Sequence, residues 1–272
     1  MRAATTSPGG RPGRPARGAD ALLAVEGLQK HFGGLMAVNG ASFAVREGSI
    51  TGLIGPNGAG KSTLFDLVTG VTHADRGTVR LAGRPLTGLS PDAIARAGVA
   101  RTFQTPRIFP DMSTWENLLA GGARHPGETL LGGLWLGRAA RARERALQSR
   151  ATELLAFLGL ERVAGQPTRE LSGGQRKLLS LGRALMTEPR LLMLDEPAAG
   201  VNQTLTRTLM DRIRDVNAGG VTVLVVEHDM DLIMRLCERV VVMHQGSVLA
   251  EGTPEEVQHD ERVLEAYLGG AM

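Results

Sequence analysis

The sequence is poor in aromatic residues and cysteine, and it has no long apolar run. Phenylalanine, tryptophan and tyrosine make up 3% of its 272 residues, and Cys237 is its single cysteine. An intramolecular disulfide is therefore excluded, and a reducing compartment is indicated. Apolar runs such as residues 191–194 and 221–226 are far shorter than the roughly 18 residues of a membrane-spanning helix. We therefore expect any membrane role to depend on a partner.

Lysine is also scarce, since Lys30, Lys61 and Lys177 are the only lysines among 31 basic residues. The formal net charge of +3 is small and dispersed along the chain, which argues against nucleic acid as a partner. Residues 1–20 are rich in arginine, proline and glycine but lack the apolar segment of a secretory signal. We predict that they form a disordered tail, because they cannot bury enough surface to become ordered.

A glycine-rich segment lies between a predicted strand at 49–54 and a predicted helix at 61–68. Glycines at such a turn let successive backbone N–H groups face phosphate oxygens, and the helix adds its positive N-terminal dipole. In this arrangement Lys61 would contact the β- and γ-phosphates and Ser62 would bind Mg²⁺. The predicted nucleotide-binding residues of this loop are Gly55, Pro56, Asn57, Gly58, Ala59, Gly60, Lys61, Ser62 and Thr63.

Two carboxylates, Asp195 and Glu196, follow a predicted buried strand at 190–194. Ligands of α/β sheets bind at the carboxyl ends of the strands. Asp195 suits the magnesium shell, and Glu196 suits a general base that orients or deprotonates an attacking water. Taken alone, the pair could merely end a strand and cap a helix. Together with the phosphate loop it favours nucleotide hydrolysis.

Two further polar residues end predicted strands, and the spacing leaves the role of each open. His228 follows the strand at 221–226 and would emerge at the same sheet edge as Glu196, where it could contact the γ-phosphate or be structural. Gln104 follows a predicted strand at 99–103 and begins the helical region. It could sense the nucleotide, or it could be an ordinary polar loop residue.

The turn Ser172-Gly173-Gly174-Gln175 opens a predicted helix at 176–186. Ser172 is a natural N-cap, and its simplest role is to cap that helix. The free N–H groups of the helix end could also form a second anion site. Because the chain already contains a phosphate loop, this second site would serve the γ-phosphate of another subunit.

The predicted elements describe an α/β core with a small β region before it and a helical region inserted into it. Strands are predicted at 22–25, 41–45, 49–54, 78–82, 99–103, 190–194 and 221–227, with a hairpin around 244–246. Helices are predicted at 61–68, 91–97, 139–158, 176–186 and 203–216, and the glycine-rich residues 121–137 are predicted to be a surface connection.

Together these segments resemble the nucleotide-binding domain of ABC transporters over roughly residues 22–269. The resemblance implies a P-loop NTPase of the ABC type within residues 21–270. Such a domain has a RecA-like core, an antiparallel β subdomain and an inserted α-helical subdomain at about 105–187. It also implies roles for Phe32 (adenine stacking), Gln104 (the Q-loop glutamine, with magnesium) and His228 (the switch histidine). The signature motif would be Leu171 with Ser172, Gly173, Gly174 and Gln175.

Finer detail resembles the ATP-binding subunits of branched-chain (hydrophobic) amino-acid importers. The segments that carry this likeness are 101–104, 116–119, 198–202 and 266–269. Asn202 stands where most ABC domains have aspartate, and Val201 replaces the commoner leucine of this branch.

This likeness implies ATP and Mg²⁺ as cofactors and ATP hydrolysis coupled to transport. The implied partners are a second ABC ATPase subunit in a heterodimer rather than a homodimer, two membrane permeases and an extracytoplasmic solute-binding protein. The implied location is the cytoplasmic face of a bacterial inner membrane. The alternatives are a cassette for urea, amide or lipid transport and a soluble ABC ATPase outside transport. A nucleic-acid binder that uses the arginine-rich tail is a third.

Overall fold

The computed structural model describes residues 20–122 and 137–268. The predicted tail at 1–20 and the predicted connection at 121–137 lie almost wholly outside these residues. The strands are β1 (Ala21–Phe32), β2 (Leu35–Arg46), β3 (Ile50–Ile54), β4 (Arg76–Leu81), β5 (Arg84–Pro85), β6 (Val99–Arg101), β7 (Leu191–Asp195), β8 (Thr222–Val226), β9 (Arg239–His244) and β10 (Ser247–Gly252). The helices are α1 (Lys61–Val68), α2 (Pro91–Arg96), α3 (Thr114–Gly121), α4 (Gly137–Leu158), α5 (Gly173–Leu185), α6 (Gln203–Ala218), α7 (Met230–Leu236), α8 (Pro254–Gln258) and α9 (Glu261–Leu268).

A six-stranded sheet in the order β10-β9-β3-β8-β7-β6 forms the centre of the fold. Its strands pair in parallel except for β10, which pairs antiparallel with β9. Every residue of β3, β7 and β8 is buried, as expected of parallel strands that are covered on both faces. The carboxyl ends of β3, β7 and β8 therefore lie side by side, and each is followed by a predicted site residue.

A four-stranded antiparallel sheet has the order β2-β1-β4-β5, and strand β3 of the central sheet lies between its strands β2 and β4 in sequence. Strands β1 and β2 are each 12 residues long and extend well beyond the predicted segments at 22–25 and 41–45. Strands β1 and β2 form a two-stranded ribbon. Exposed apolar residues such as Phe32 and Leu35 lie at its turn, so the alternation of buried apolar and exposed polar residues that predicts strands is lost there. Backbone pairing continues through several register shifts nevertheless.

Helices α3, α4 and α5 pack together between β6 and β7 in the chain order. Gly182 of α5 lies against Leu118 of α3 and Leu158 of α4, and a Cβ at position 182 would approach both leucine side chains within 3 Å. All three residues are buried. These helices, the central sheet and the antiparallel sheet confirm the predicted combination of an α/β core with an antiparallel β region and a helical region.

Several predicted boundaries differ from the structure. Strand β6 ends at Arg101 and not at residue 103, because its register with β7 stops at the pair Arg101 and Met193. Helix α5 begins at Gly173, directly after its N-cap, three residues before the predicted start. The short helices α8 and α9 were not predicted as separate helices. Cys237 is buried in the core, and burial raises the pKa of its thiol to about 12.

The turn between β9 and β10 joins three distant parts of the chain through Gly246. The Gly246 N–H donates to the carbonyl of Ala59 at 3.0 Å, and its carbonyl accepts from the N–H of Asn39 at 2.8 Å. Gly246 has a φ of 80°, and a Cβ there would lie 3.0 Å from the carbonyl oxygen of Ala37. A glycine is therefore required where the hairpin meets both β2 and the phosphate loop.

Candidate nucleotide-binding site

The loop between β3 and α1 has a backbone that only glycine can adopt at its two ends. Gly55 and Gly60 have φ values of 150° and 98°. A Cβ on Gly55 would collide with the carbonyl of Met243, and a Cβ on Gly60 with the carbonyl of Ala37. The loop thus fits tightly against β9 and β2, and this fixes the direction of its backbone N–H groups at the start of α1.

The Lys61 ammonium folds back over this loop. Its Nζ donates to the carbonyls of Gly55 at 2.7 Å and Pro56 at 3.1 Å. Burial lowers the pKa of Lys61, while the carboxylates of Glu196 and Asp195 raise it. The structure therefore brings the predicted phosphate loop and the predicted carboxylate pair to one place. A half-buried cation beside phosphate-directed N–H groups is suited to a polyphosphate.

Glu196 lies directly after β7 and is held by two groups that the sequence separates widely. Gln104 Nε2 donates to Glu196 Oε2 at 2.7 Å, and His228 Nδ1 lies 4.0 Å from Glu196 Oε1. The backbone of Glu196 is left-handed, with a φ of 44°, and its N–H donates to the carbonyl of Val226. The three predicted catalytic residues thus form one cluster at the ends of β6, β7 and β8.

Asp195 is buried at the last position of β7, and its Oδ2 accepts from Arg101 at 2.8 Å. Within the described residues its Oδ1 accepts no hydrogen bond. Ser62 lies one helical turn before Asp66, whose carboxylate also binds Arg101 at 2.5 Å.

No group of three or more His, Cys, Asp or Glu side chains in residues 20–122 and 137–268 could hold a metal ion. Magnesium fits the oxygen donors present here, because it is usually bound by one or two protein oxygens together with phosphates and water.

Two residues of this cluster were missed by sequence reasoning. Glu227 is buried at the end of β8, and its carboxylate accepts from the N–H groups of Ala198 and His228. Burial raises its pKa, and those N–H groups oppose the shift. Lys177 Nζ donates to the carbonyl of Glu196 at 3.0 Å. The scarcity of lysine was the one available signal for Lys177, and a carboxylate that ends an apolar strand was the signal for Glu227.

The Ser172 turn forms a complete capping box at the start of α5. Ser172 Oγ accepts from the N–H of Gln175 at 3.2 Å, and Gln175 Oε1 accepts from the N–H of Ser172 at 2.8 Å. Ser172 and Gly173 are exposed, whereas Gly174 is buried against Leu205 of α6. The exposed helix end can accept a ligand from outside the chain.

Phe32, the predicted adenine-stacking residue, ends β1 with half of its surface exposed. Lys30 Nζ lies 5.5 Å from the centre of its ring. Leu35 and Met36 across the turn are also exposed, so the end of the ribbon presents an apolar face. A separate cavity of about 610 Å³ lies beside the phosphate loop and is bounded by Pro56 to Ala59, the β9–β10 turn and α9.

Comparison with known proteins gives the family of this fold and site. Residues 38–199 match the family described as ABC transporter, and residues 247–272 match the branched-chain amino acid ATP-binding cassette transporter family. The chain belongs to the ABC transporter family. In this family the cassette binds ATP with Mg²⁺ and hydrolyses ATP to drive transport, so the predicted cofactors and activity are confirmed.

Curated relatives are similar to this cassette over nearly its whole length. The high-affinity branched-chain amino acid transport ATP-binding protein BraF of Pseudomonas aeruginosa is 43% identical over 92% of this chain and 98% of its own. LivG of Escherichia coli, with the same description, is 41% identical over 92% of this chain and 98% of its own. The predicted membership of this branch is therefore confirmed.

Solved structures share the fold of the cassette. A nucleotide-free ATP-binding cassette from an ABC transporter superposes with a TM-score of 0.79 at 37% identity, covering 91% of this chain and 98% of its own. An ATP-binding cassette in its ADP conformation gives a TM-score of 0.80 at 36% identity, over 92% and 99%. Among the described residues, no helix is both long enough and apolar enough to cross a membrane.

Proposed function

We propose that this cassette powers the uptake of branched-chain or other hydrophobic amino acids through partner permeases. The names of BraF and LivG support the solute class, and so does the match of residues 247–272 to the branched-chain amino acid family. The other proposed partners are a second, different ATPase subunit and an extracytoplasmic solute-binding protein. The cassette would dock as a peripheral subunit on the cytoplasmic face of the inner membrane. Helices α3 to α5, within residues 105–187, would form a subdomain that moves with the nucleotide state.

The proposed binding residues contact the triphosphate at one end of ATP and the adenine at the other. Backbone N–H groups of residues 55–63 other than Pro56, together with the Lys61 ammonium, would bind the β- and γ-phosphates, and Phe32 would stack on adenine. Ser62, Asp195 and Gln104 would hold Mg²⁺, which neutralises phosphate charge when bound. Residues 172–175 would bind the γ-phosphate that is held by the other ATPase subunit.

The observation that carries the proposed chemistry is the position of the Glu196 carboxylate. The Gln104 amide fixes one oxygen, and the other oxygen faces His228 near Lys61. Glu196 would accept a proton from the attacking water, and His228 would contact the γ-phosphate. The Gln104 amide would keep Glu196 in the orientation needed for proton transfer.

The test is Glu196→Gln in the reconstituted transporter, because glutamine keeps the shape of the side chain but cannot act as a base. ATP turnover should fall at least about 100-fold, as for loss of a general base, while ATP affinity changes little. Glu161→Gln, which changes an exposed glutamate, is the control and should leave turnover unchanged. Wild-type turnover in Glu196→Gln would contradict the role of Glu196.

The solute is tested separately by uptake into proteoliposomes. Radiolabelled leucine, isoleucine and valine should be accumulated with ATP, and urea should not. ATP-dependent uptake of urea alone would contradict the proposed solute class while leaving the ATPase chemistry intact.

A further inference from the structure

Arg101 forms a buried bridge between the phosphate-loop helix and the strand that ends in Asp195. One guanidinium nitrogen donates to Asp66 Oδ1 of α1 at 2.5 Å, and the other donates to Asp195 Oδ2 of β7 at 2.8 Å. The Arg101 side chain is 8% exposed and the Asp195 side chain 12%, so little water competes for the bond between them, whereas the Asp66 side chain is 34% exposed. The two ion pairs join residues that are 35 and 94 positions away from Arg101.

Two aromatic rings and the sheet register hold the guanidinium group in place. Its carbon lies 5.4 Å from the centre of the Phe65 ring and 5.0 Å from that of Phe103. In the sheet, Arg101 pairs with Met193, and the next N–H, of Thr102, donates to the Met193 carbonyl at 2.9 Å. Two rings and two carboxylates thus restrain the planar guanidinium, whose buried Nε has no hydrogen-bond partner among the described residues.

This arrangement determines which oxygen of Asp195 is free. Because Oδ2 is bound by Arg101, the carboxylate cannot turn, and Oδ1 remains without a hydrogen bond in the described part of the chain. We propose that Arg101 is a positioning residue for magnesium: it holds Oδ2 of Asp195 and so presents Oδ1 to the ion. Asp66 keeps the guanidinium in that position. The inference rests on the proposed assignment of Asp195 to the magnesium shell.

Lysine cannot replace arginine in this role, since an ammonium is a point charge without the planar fork that reaches two carboxylates at once. Arg101→Lys therefore keeps the positive charge and removes the simultaneous contact with Asp66 and Asp195. Asp66→Asn keeps the contact to Asp195 and weakens the restraint on the arginine. Arg107→Lys is the matched control, because Arg107 stacks on the same Phe103 ring at 4.0 Å but contacts no carboxylate within the described residues.

The experiment measures Mn²⁺ as a paramagnetic substitute for magnesium in the full chain saturated with a non-hydrolysable ATP analogue. The Kd for Mn²⁺ is determined by electron paramagnetic resonance, which does not depend on turnover. Arg101→Lys should raise this Kd about 10- to 100-fold, as loss of groups that orient metal ligands does. Asp66→Asn should raise it less, and Arg107→Lys should leave it unchanged. The affinity for the analogue without metal should stay the same in all variants.

Asp195→Asn distinguishes the proposed binding of magnesium by Asp195 from the proposed positioning role of Arg101. If it leaves the Mn²⁺ Kd unchanged, the proposed magnesium assignment is wrong. If it raises the Kd but Arg101→Lys stays within about twofold of the wild type, Asp195 binds the metal and the role of Arg101 is refuted. Should Arg101→Lys fail to fold, Asp66→Asn decides, because an unchanged Kd in that variant also overturns the role proposed for Arg101.

Discussion

At the scale of single residues, Glu227 connects the end of β8 to the segment that follows the carboxylate pair. Its two oxygens accept from the N–H groups of Ala198 and His228, at 2.9 and 3.3 Å. The nearest cationic candidate, His228 Nδ1, is 3.9 Å away and exposed to solvent. Burial is the main reason that the pKa of this carboxyl is raised, and the two neutral N–H donors oppose the shift without cancelling it.

This raised pKa predicts a pH-dependent loss of stability. The unfolded chain releases the Glu227 proton near pH 4.3, roughly the value of an exposed glutamate, whereas the folded protein releases it at higher pH. The contribution of Glu227 to stability is therefore full below the unfolded pKa and is lost as pH rises through the folded pKa. Glu227→Gln cannot ionise and should lack this component. Its free energy of unfolding relative to wild type, measured with urea from pH 5 to 8, should increase with pH.

Glu161→Gln, at an exposed position, serves as the control and should follow the wild-type pH profile. Parallel profiles for Glu227→Gln and the wild type would show that Glu227 does not titrate between pH 5 and 8.

The site residues that could be predicted from the sequence are those that follow the ends of predicted strands. Asp195, Glu196 and His228 could be assigned to one sheet edge because each lies within two residues of the end of an apolar run. The partners that orient them could not be assigned. Arg101 lies 94 residues from Asp195, and Lys177 reaches a backbone carbonyl that no side-chain pattern reveals. Such contacts depend on tertiary packing and leave no local period in the sequence.

At the scale of elements, the start of α5 is packed against α6 at one glycine. A Cβ on Gly174 would collide with the side chain of Leu205, whereas a Cβ on the neighbouring Gly173 would meet no atom within 4 Å. Leu205 lies in the first turn of α6, where the Asn202 side chain accepts from its N–H. The two helix starts are thus in direct contact.

This contact predicts a compensating pair of substitutions. Gly174→Ala should lower the free energy of unfolding by about 1–3 kcal/mol, the typical effect of overpacking. Gly173→Ala is the matched control and should not destabilise the fold, because its methyl group has room. Adding Leu205→Ala to Gly174→Ala should remove most of the overpacking. Urea unfolding of the wild type, Gly174→Ala, Leu205→Ala and the double variant forms a double-mutant cycle, and strictly additive values would argue against the contact.

Elements whose limits are set by local chemistry were predicted closely. Helix α2 begins after Ser90, whose side chain accepts from the N–H of Ala93, and α1 has the predicted limits. Strand ends set by pairing were predicted less well. β1 and β2 run on to their shared turn because each satisfies the backbone of the other, and β6 stops where its pairing with β7 stops. The periodicity of apolar residues indicates which side chains are buried, but it does not indicate which backbones pair with each other.

At the scale of the whole molecule, the two capping boxes that begin with serine have the same geometry and different proposed roles. Ser113 begins α3 with Glu116, and Ser172 begins α5 with Gln175. In both, the serine Oγ accepts at 3.2 Å and the serine N–H donates at 2.8 Å. Only the Ser172 turn is proposed to meet a phosphate held by another subunit.

Alanine at either serine should therefore lower the free energy of unfolding by about 1 kcal/mol, the usual effect of losing an N-cap. Ser172→Ala should in addition reduce ATP turnover of the assembled cassette pair about tenfold or more, because a hydrogen bond to a charged phosphate is lost. Ser113→Ala should keep normal turnover. Urea unfolding and steady-state ATP hydrolysis give the two readings. Equal turnover in the two variants would refute a site shared between subunits.

The hydrogen bonds that Gly246 makes to Ala59 and Asn39 also have a consequence for the synthesis of the protein. A ribosome releases the chain from its N-terminus, so residues 55–63 emerge long before the hairpin that receives the carbonyl of Ala59. Until Gly246 is synthesised, neither the phosphate loop nor the ribbon near Asn39 has this anchor. We therefore expect a nascent chain to acquire its nucleotide-binding conformation only after Gly246 has emerged from the ribosome. Premature capture of ATP by incomplete chains would thereby be avoided.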